Sequence, residues 1–350
     1  MVTRRQALVG SLCAALRPLA ARAAGAPNTA AASADSAPSA RTAPRAAATE
    51  PNSARTAPRD TRAASGTLAV REIAPGIFVR RGVDEDASAA NDDAIANIGF
   101  VVGRDAVAVI DPGGSLRDGE RLRASILQAT RVPIRYVVMT HVHPDHIFGA
   151  GAFQRDRPQF IGHRKLPQAL AVRGEYYRKR LEEALGAGRA GPIVAPTRLV
   201  QAQDQVDLGG GKVLHLEAHA LAHSDCDLTA LEQQTATLFT GDLLFVQRVP
   251  SLDGSLKGWL AELNSLKSVA AQRAVPGHGP ESVKWPAASL DLERYLNGLL
   301  RETRAAIKKG IDIDAAVGSV GRSERGRWSL FDAYQGHNVT QAYKELEWEQ

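Results

Sequence analysis

Cysteine is scarce in this chain of 350 residues, which contains only Cys13 and Cys226. Cys13 lies in an N-terminal segment that we expect to be removed, so the mature protein would keep a single thiol. A single thiol excludes an internal disulfide framework. The chain is 44% apolar and long enough to bury a sizeable core, and something other than disulfides must hold that core together.

Surplus positive charge is also missing from the part of the chain that we expect to fold. The formal net charge is +5, but residues 1–66 carry nine arginines against three acidic residues. The remainder has 34 basic and 35 acidic residues. A nucleic-acid-binding protein needs a basic face on its folded part, so we predict no nucleic-acid partner.

No apolar run reaches the roughly 20 residues that a membrane span needs. The run from Ala7 to Leu16 is much shorter, follows the pair Arg4-Arg5 and precedes a stretch of small residues. This order is that of a secretory signal and resembles a twin-arginine export signal. We predict an export signal over residues 1–23 and a periplasmic location. The basic region of a general secretory signal is the alternative, because Ala7 stands where twin-arginine signals usually have Phe.

Large apolar side chains are almost absent from the next segment, residues 24–66, which consists mainly of Ala, Ser, Thr, Pro and Arg. The heptapeptide SARTAPR occurs in it twice, at 39–45 and 53–59. A repeat this short, without an apolar face, cannot bury a core. We therefore predict a disordered linker.

From Leu68 onward the pattern changes to short β-rich runs separated by turns. Ala74-Pro75-Gly76 predicts a hairpin turn, and Ser115 is a candidate N-cap for a helix that extends to Thr130. The other predicted elements are strands over 97–103, 106–110 and 134–139, a helical middle over about 165–187, a β-rich half over 199–245, and helices over 256–271 and 287–309. This order predicts an α/β sandwich rather than a regular βαβ series.

The strongest chemical signal is the loop Thr140–His146, which follows a buried-looking strand. It places four metal-binding side chains within six residues, namely His141, His143, Asp145 and His146. On such a loop the first two can point one way and the last two the other, which predicts two neighbouring metal sites. Imidazole and carboxylate are the ligands that zinc accepts when a position must stay open for water. A histidine-rich surface loop is the structural alternative.

This loop resembles the H-x-H-x-D-H hallmark of the metallo-β-lactamase superfamily, and the likeness extends over about residues 68–280. Four further motifs follow the family's order: Val109–Gly113 is similar to its Asp-x-Gly turn, Ala222-His223-Ser224 to its Gly-His-Thr motif, Thr240-Gly241-Asp242 to its strand-end aspartate, and Pro276–Gly279 to its last histidine motif. The resemblance implies an αββα four-layer sandwich and a hydrolase domain over residues 67–309, with residues 310–350 as a C-terminal extension.

The resemblance also implies a set of metal ligands for two Zn²⁺ ions, with iron or manganese as alternatives. His141, His143 and His223 would hold the first ion, Asp145, His146 and His278 the second, and Asp242 would lie between them. Asp111 would support the histidine loop without binding metal. A hydroxide between the two ions would be the nucleophile, and Asp145 would be the catalytic residue that orients it and moves its proton.

Several nearby residues have competing interpretations. His219 lies four residues before His223 and could take its place as a ligand, although the Ala-His-Ser context favours His223. Cys226 could line the pocket but is not expected to bind metal. Asp225 and Asp227 are interpreted as solvated acids, although a supporting role for Asp227 is possible.

Within the superfamily, three stretches are similar to the quinoprotein relay system zinc metallohydrolase group. They are His146–Ala150, Gly162–Pro167 and Pro250–Trp259. This similarity implies a link to a periplasmic quinoprotein dehydrogenase system. The segment after Pro250 could form a pocket wall with Lys257 as an anion contact, or it could simply lead into a helix.

The expected activity is hydrolysis of an ester, thioester, lactone or β-lactam-type bond in a small molecule. A dedicated β-lactamase is disfavoured because Asp242 stands where one subclass of these enzymes has Cys. A persulfide dioxygenase-like enzyme with a single iron is the main rival. A non-catalytic binding protein is another, although such proteins usually lose metal ligands.

Overall fold

The computed structural model describes residues 66–349 of the chain. The predicted export signal (1–23) lies outside the described residues, and so does the predicted linker (24–66) apart from Gly66. Both therefore stay predictions.

Seven strands form the first sheet, in which spatial order follows chain order from β1 to β7. The strands are β1 (Arg71–Ala74), β2 (Ile77–Arg80), β3 (Ile98–Val102), β4 (Val107–Ile110), β5 (Ile134–Met139), β6 (Gln159–His163) and β7 (Arg198–Val200). The first four pair antiparallel, and β4 to β7 pair parallel. The carboxyl ends of β4 and β5 therefore meet at one edge of the sheet.

Six strands form the second sheet, in the order β13-β12-β11-β10-β9-β8. They are β8 (Gln203–Asp207), β9 (Val213–Ala218), β10 (Leu228–Glu232), β11 (Thr237–Phe245), β12 (Arg273–His278) and β13 (Val283–Lys284). Only β11 and β12 pair parallel, whereas the other pairs are antiparallel. All nine residues of β11 are buried, as expected of a central strand covered on both faces.

Seven α-helices accompany the two sheets in the described part of the chain. They are α1 (Leu116–Ala129), α2 (Pro144–Ile147), α3 (Leu166–Leu185), α4 (Leu256–Leu266), α5 (Ser289–Lys308), α6 (Ile313–Ser319) and α7 (Phe331–Leu346). A 3₁₀ helix, Phe148–Asp156, follows α2 directly. Ser115 caps α1 as predicted, because its side chain accepts a hydrogen bond from the Asp118 amide.

Three hydrophobic clusters show how the layers stack. The middle cluster joins apolar residues of both sheets, such as Val138 of β5 and Phe239 of β11. A second cluster packs α1 and α3 on the outer face of the first sheet. The third packs the helices from α4 onward on the outer face of the second sheet. The predicted αββα four-layer sandwich is confirmed.

The segment after α5 packs into the same core as α4 and α5. Trp328, Phe331 and Val339 are buried in the outer cluster of the second sheet. Tyr334 and Tyr343 are partly buried against this cluster. None of the helices within residues 66–349 combines the length and apolar composition that a membrane crossing requires.

A buried ion pair fixes the connection between β2 and β3. The Arg80 guanidinium bonds to the Asp118 carboxylate on α1, and both side chains are almost fully buried. Arg80 also donates to the carbonyls of Ala94 and Ala96, 2.8 Å from each. Because burial penalises the charged forms, it raises the pKa of Asp118 and lowers that of Arg80, and the stability of this region depends on keeping the pair intact.

We expect Asp118→Asn to lower the free energy of unfolding by about 3–5 kcal/mol, because it leaves a buried guanidinium without its counter-charge. Urea unfolding of the purified chain measures the loss. Asp291→Asn is the matched control, since Asp291 is exposed and pairs with Arg294 on the surface, where such pairs contribute at most about 1 kcal/mol. Equal losses in the two variants would contradict a special role for the buried pair.

Candidate metal centre

The histidine loop begins where β5 ends, at the edge where the carboxyl end of β4 also lies. Pro144 starts the short helix α2, since its fixed φ suits the first helical position. This turn separates His141 and His143 from Asp145 and His146. The first two side chains therefore join one group of candidate ligands and the last two join the other, as predicted.

Two groups of side chains converge at this edge, and in each group the candidate ligand atoms all lie within 4.8 Å of one another. The first group is His141, His143, His223 and Asp242, and the second is Asp145, His146 and His278. The structure thus brings together all seven residues that the sequence singled out as ligands. Their binding of metal stays a prediction.

Asp242 lies between the two groups and presents one carboxylate oxygen to each. Its Oδ2 is 3.6 Å from His141 Nε2 and 3.5 Å from His223 Nε2. Its Oδ1 is 3.1 Å from His146 Nε2 and 3.4 Å from His278 Nε2. This is the arrangement expected of a carboxylate that bridges two metal ions.

Two glycines make room for this carboxylate. A Cβ at Gly277 would lie 1.9 Å from Asp242 Oδ1, which no side chain could tolerate. Gly241 has a φ of +50°, and a Cβ there would lie 2.7 Å from Thr140 Oγ1. The glycines of both motifs therefore serve close packing around the centre.

Each of the five histidines uses one ring nitrogen to contact a partner outside the centre. The contacts are His141 Nδ1 to Thr140 Oγ1 (2.9 Å), His146 Nδ1 to Asp111 Oδ2 (2.7 Å), His223 Nδ1 to Asp227 Oδ1 (3.1 Å), His278 Nδ1 to the Ile95 carbonyl (3.0 Å) and His143 Nε2 to Asp253 Oδ2 (3.2 Å). Carboxylates and carbonyls only accept, so the imidazole N–H donates to them. The other nitrogen is then the one that a metal ion would bind.

Asp111 holds the histidine loop against the end of β4. Its Oδ1 accepts from the Thr140 amide and its Oδ2 from the Thr140 hydroxyl, both at 2.8 Å, and Oδ2 also accepts from His146. Asp111 has a φ of +55°, in the left-handed region that Asp and Asn tolerate best among side-chain-bearing residues. Its position matches the predicted supporting role.

Orphaned polar atoms show that the centre fits metal ions. The Nε2 atoms of His141, His146 and His223 and the Oδ1 atom of Asp242 are buried and have no hydrogen-bond partner of suitable geometry among residues 66–349. A buried polar atom without a partner costs about 1–3 kcal/mol. Four such atoms facing one small space are accounted for if divalent cations bind there.

The electrostatics of the centre favour positive charge beside the carboxylates. Burial raises the pKa of Asp242, but the imidazoles of His278, His146 and His141 outweigh burial and hold it well below its ordinary value. Burial lowers the pKa of His141 well below its ordinary value, and His146 lowers it further. Burial also lowers the pKa of His146, but the carboxylates of Asp242 and Asp145 outweigh burial and raise it well above its ordinary value. A metal ion would take the place of that proton.

Other residues considered from the sequence lie outside the two groups. His219 contacts Glu262 and Thr229, at 2.8 and 2.9 Å, so His223 and not His219 joins the centre. Cys226 is fully buried in the first sheet's outer core, where burial raises the pKa of its thiol. The remaining histidines, His163, His215 and His337, form hydrogen bonds elsewhere.

Two interpretations of acidic and basic residues need correction. Asp227 is not a solvated acid: it is buried and accepts from His223 and from the Ser224 amide, the latter at 2.7 Å. The Lys257 ammonium does not face the centre, because it pairs with Glu349 at 2.7 Å. Neither contact could be read from the local sequence, since both depend on tertiary packing.

Three charged residues near the centre were not predicted from the sequence: Asp253, Arg173 and Asp93. Asp253 contacts His143 and also bonds to the Arg173 guanidinium. Asp93 is buried, and burial together with the carboxylates of Asp145 and Asp118 raises its pKa well above the ordinary value. Asp253 lies in Pro250–Trp259, one of the stretches that resemble a subgroup of the family. That resemblance is the only feature of the sequence that points to Asp253.

Comparison with known proteins agrees with this geometry. A family model described as "Metallo-beta-lactamase superfamily" matches residues 91–278, which include all seven candidate ligands. A curated Caenorhabditis elegans protein, "Beta-lactamase-like protein 2 homolog", is 24% identical over 186 residues, or 53% of this chain and 54% of its own length. The chain thus spans about half of that relative.

Solved structures show the same fold at low identity. A metallo-beta-lactamase from Pontibacter korlensis aligns with a TM-score of 0.53 and 18% identity, covering 66% of this chain and 99% of its own. A double mutant of the sec-alkyl sulfatase PisA1 aligns with a TM-score of 0.59 and 18% identity, covering 81% of this chain and 51% of its own. Likeness at this level concerns the fold alone.

We expect Asp111→Asn to weaken metal binding about 10- to 100-fold, because an amide has one acceptor oxygen, so its nitrogen would face either the His146 N–H or the Thr140 amide. Asn tolerates the left-handed backbone at this position, so the fold should survive. Competition with a chromophoric chelator measures the affinity. Asp105→Asn, at an exposed residue paired with Arg104, is the control, and unchanged affinity in Asp111→Asn would contradict the supporting role.

Proposed function

Because this chain belongs to the metallo-β-lactamase superfamily, we propose that it is a zinc-dependent hydrolase with two metal ions in its centre. The observation that carries the proposal is the position of Asp242, whose two oxygens face the two histidine groups. A single metal site would need only one of these groups. The presence of both groups therefore favours hydrolysis with two metal ions.

The seven residues of the two groups would hold the ions, with Asp242 shared between them. Two zinc ions held there would lower the pKa of a bound water toward about 7 and polarise the oxygen of an electrophile. Asp145 would orient that water and accept its proton. Its Oδ2 lies within the second group, 3.2 Å from His278 Nε2 and 3.6 Å from His146 Nε2.

The substrate classes that suit this chemistry are small molecules with an ester, thioester, lactone or β-lactam-type bond. Each presents a carbonyl carbon whose oxygen gains negative charge during attack. One subclass of β-lactamases has Cys where this chain has Asp242. This difference supports a hydrolase that is not dedicated to β-lactams.

The same proposal assigns the protein to the periplasm, in association with a quinoprotein dehydrogenase system. The supporting features are the pair Arg4-Arg5 before an apolar run and the likeness of Pro250–Trp259 to the quinoprotein relay group. The twin-arginine route carries folded proteins, which would allow the metals to be loaded before export.

We expect the purified wild-type chain to contain two zinc ions and to hydrolyse at least one compound in a panel of esters, thioesters, lactones and β-lactams. Asp145→Asn should lower kcat/KM about 10²- to 10⁴-fold, because it removes the proton acceptor and weakens a predicted ligand of the second ion. Elemental analysis and initial rates measure both quantities. Glu120→Gln, at an exposed residue, is the control.

Different metal contents would separate the alternatives. One iron per chain, together with oxygen consumption when a persulfide is added, would favour the dioxygenase-like enzyme over the hydrolase. Two bound zinc ions without turnover of any compound in the panel would favour a binding protein.

We expect replacement of Arg4 and Arg5 by lysines to abolish export, because a twin-arginine signal depends on the guanidinium pair. The uncleaved precursor should then accumulate in the cytoplasm, as judged by cell fractionation and immunoblotting. Undiminished export of the variant would contradict the twin-arginine route and favour the general secretory route.

A further inference from the structure

His143 differs from the other four histidines in the origin of its outer partner. Its partner, Asp253, lies 110 positions away in the chain, in the connection between β11 and α4 and outside the five motifs. The other side-chain partners, Thr140, Asp111 and Asp227, lie in a motif or within three residues of one, and the partner of His278 is a backbone carbonyl, that of Ile95. His143 is also the most exposed ligand of its group, with 15% of its side chain accessible.

The contact with Asp253 determines which nitrogen of His143 can bind a metal ion. Asp253 Oδ2 accepts from His143 Nε2 at 3.2 Å, so the proton resides on Nε2 and Nδ1 is the basic nitrogen. Without an acceptor at this point, the imidazole could carry its proton on either nitrogen and turn about its bond to Cβ. We propose that Asp253 is a positioning residue that orients His143 for the first metal ion, an inference that rests on the proposed metal binding.

Asp253 is itself fixed from two sides. Its carboxylate bonds to the Arg173 guanidinium of α3, and only 13% of its side chain is exposed. Its backbone amide donates to the His223 carbonyl at 3.2 Å. Residue 253 therefore contacts two of the three histidines predicted for the first ion, one by side chain and one by backbone.

The C-terminal helix α7 supports the loop that carries Asp253. Asn338 accepts from the Leu252 amide at 2.9 Å and donates to the Pro250 carbonyl at 2.7 Å. Glu345 accepts from the Leu256 amide at 2.6 Å and from the Ser255 hydroxyl at 2.7 Å. The segment predicted to be a C-terminal extension thus holds this loop in place.

Metal affinity in the full-length chain tests the proposal. Zn²⁺ binding to wild type and Asp253→Asn is measured by competition with a chromophoric chelator, and the Co²⁺-substituted proteins are compared by absorption spectroscopy. We expect one of the two sites in Asp253→Asn to bind about 10- to 100-fold more weakly, with a changed Co²⁺ spectrum. The midpoint of thermal unfolding of the metal-free protein reports whether the fold survives.

Two further variants separate the effect of the Asp253–His143 contact from the effect of the Asp253–Arg173 ion pair. Asp156→Asn is the matched control, because Asp156 bonds to Arg123 with 17% of its side chain exposed and lies outside the centre; its affinities should equal those of wild type. Arg173→Met removes the ion pair but leaves the carboxylate beside His143, and it should weaken binding less than Asp253→Asn does.

Three results would overturn the inference. Unchanged affinity at both sites in Asp253→Asn would show that the orientation of His143 does not need the carboxylate of residue 253. An equal loss in Arg173→Met would assign the effect to the ion pair. Wild type that binds no Zn²⁺ would refute the proposed function as well, whereas two ions bound equally by wild type and Asp253→Asn would refute this inference alone.

Discussion

The centre depends on a carboxylate buried between two groups of imidazoles. Asp242 is 3% exposed, and an ionised carboxylate in that position is costly unless opposite charge compensates it. Its two oxygens contact histidines from both groups, which is why the groups stand next to each other. Gly277 and Gly241 are required for the same reason, because side chains there would occupy the space of the carboxylate or of Thr140.

The residues that could be predicted from the sequence are those that end strands in recognisable motifs. His141 lies just after β5, which pairs parallel with β4, and His278 closes β12, which pairs parallel with β11. Parallel pairing therefore brings together the motifs within each sheet. The strand and helix patterns predicted an α/β sandwich, whereas the αββα order of its layers came from the family resemblance. Asp253, Arg173 and Asp227 escaped prediction because an acid or arginine in a polar loop looks solvated until tertiary packing buries it. The packing of Trp328 and Phe331 was unreadable for the same reason.

The outer partners of the histidines differ in a way that bears on their chemistry. His223, His143 and His146 donate to carboxylates, which increase the basicity of the opposite nitrogen. His278 donates to the Ile95 carbonyl, a weaker partner. His141 contacts the Thr140 hydroxyl, which in turn donates to Asp111. Asp111 therefore acts on both groups, directly through His146 and indirectly through His141.

The position of the centre at the junction of the two sheets connects metal binding with folding. Each group takes residues from both sides: His141 and Asp145 come from the first sheet's loop, whereas Asp242 and His278 come from the second sheet. Backbone bonds already cross this junction, from Leu228 to the Thr140 carbonyl and from Asn97 to that of Gly277, both at 2.7 Å. Ions held in both groups would add bonds across the same junction, so their binding free energy would stabilise the sandwich itself. In a chain without disulfides among its described residues, metal binding would then serve the role that cross-links serve elsewhere.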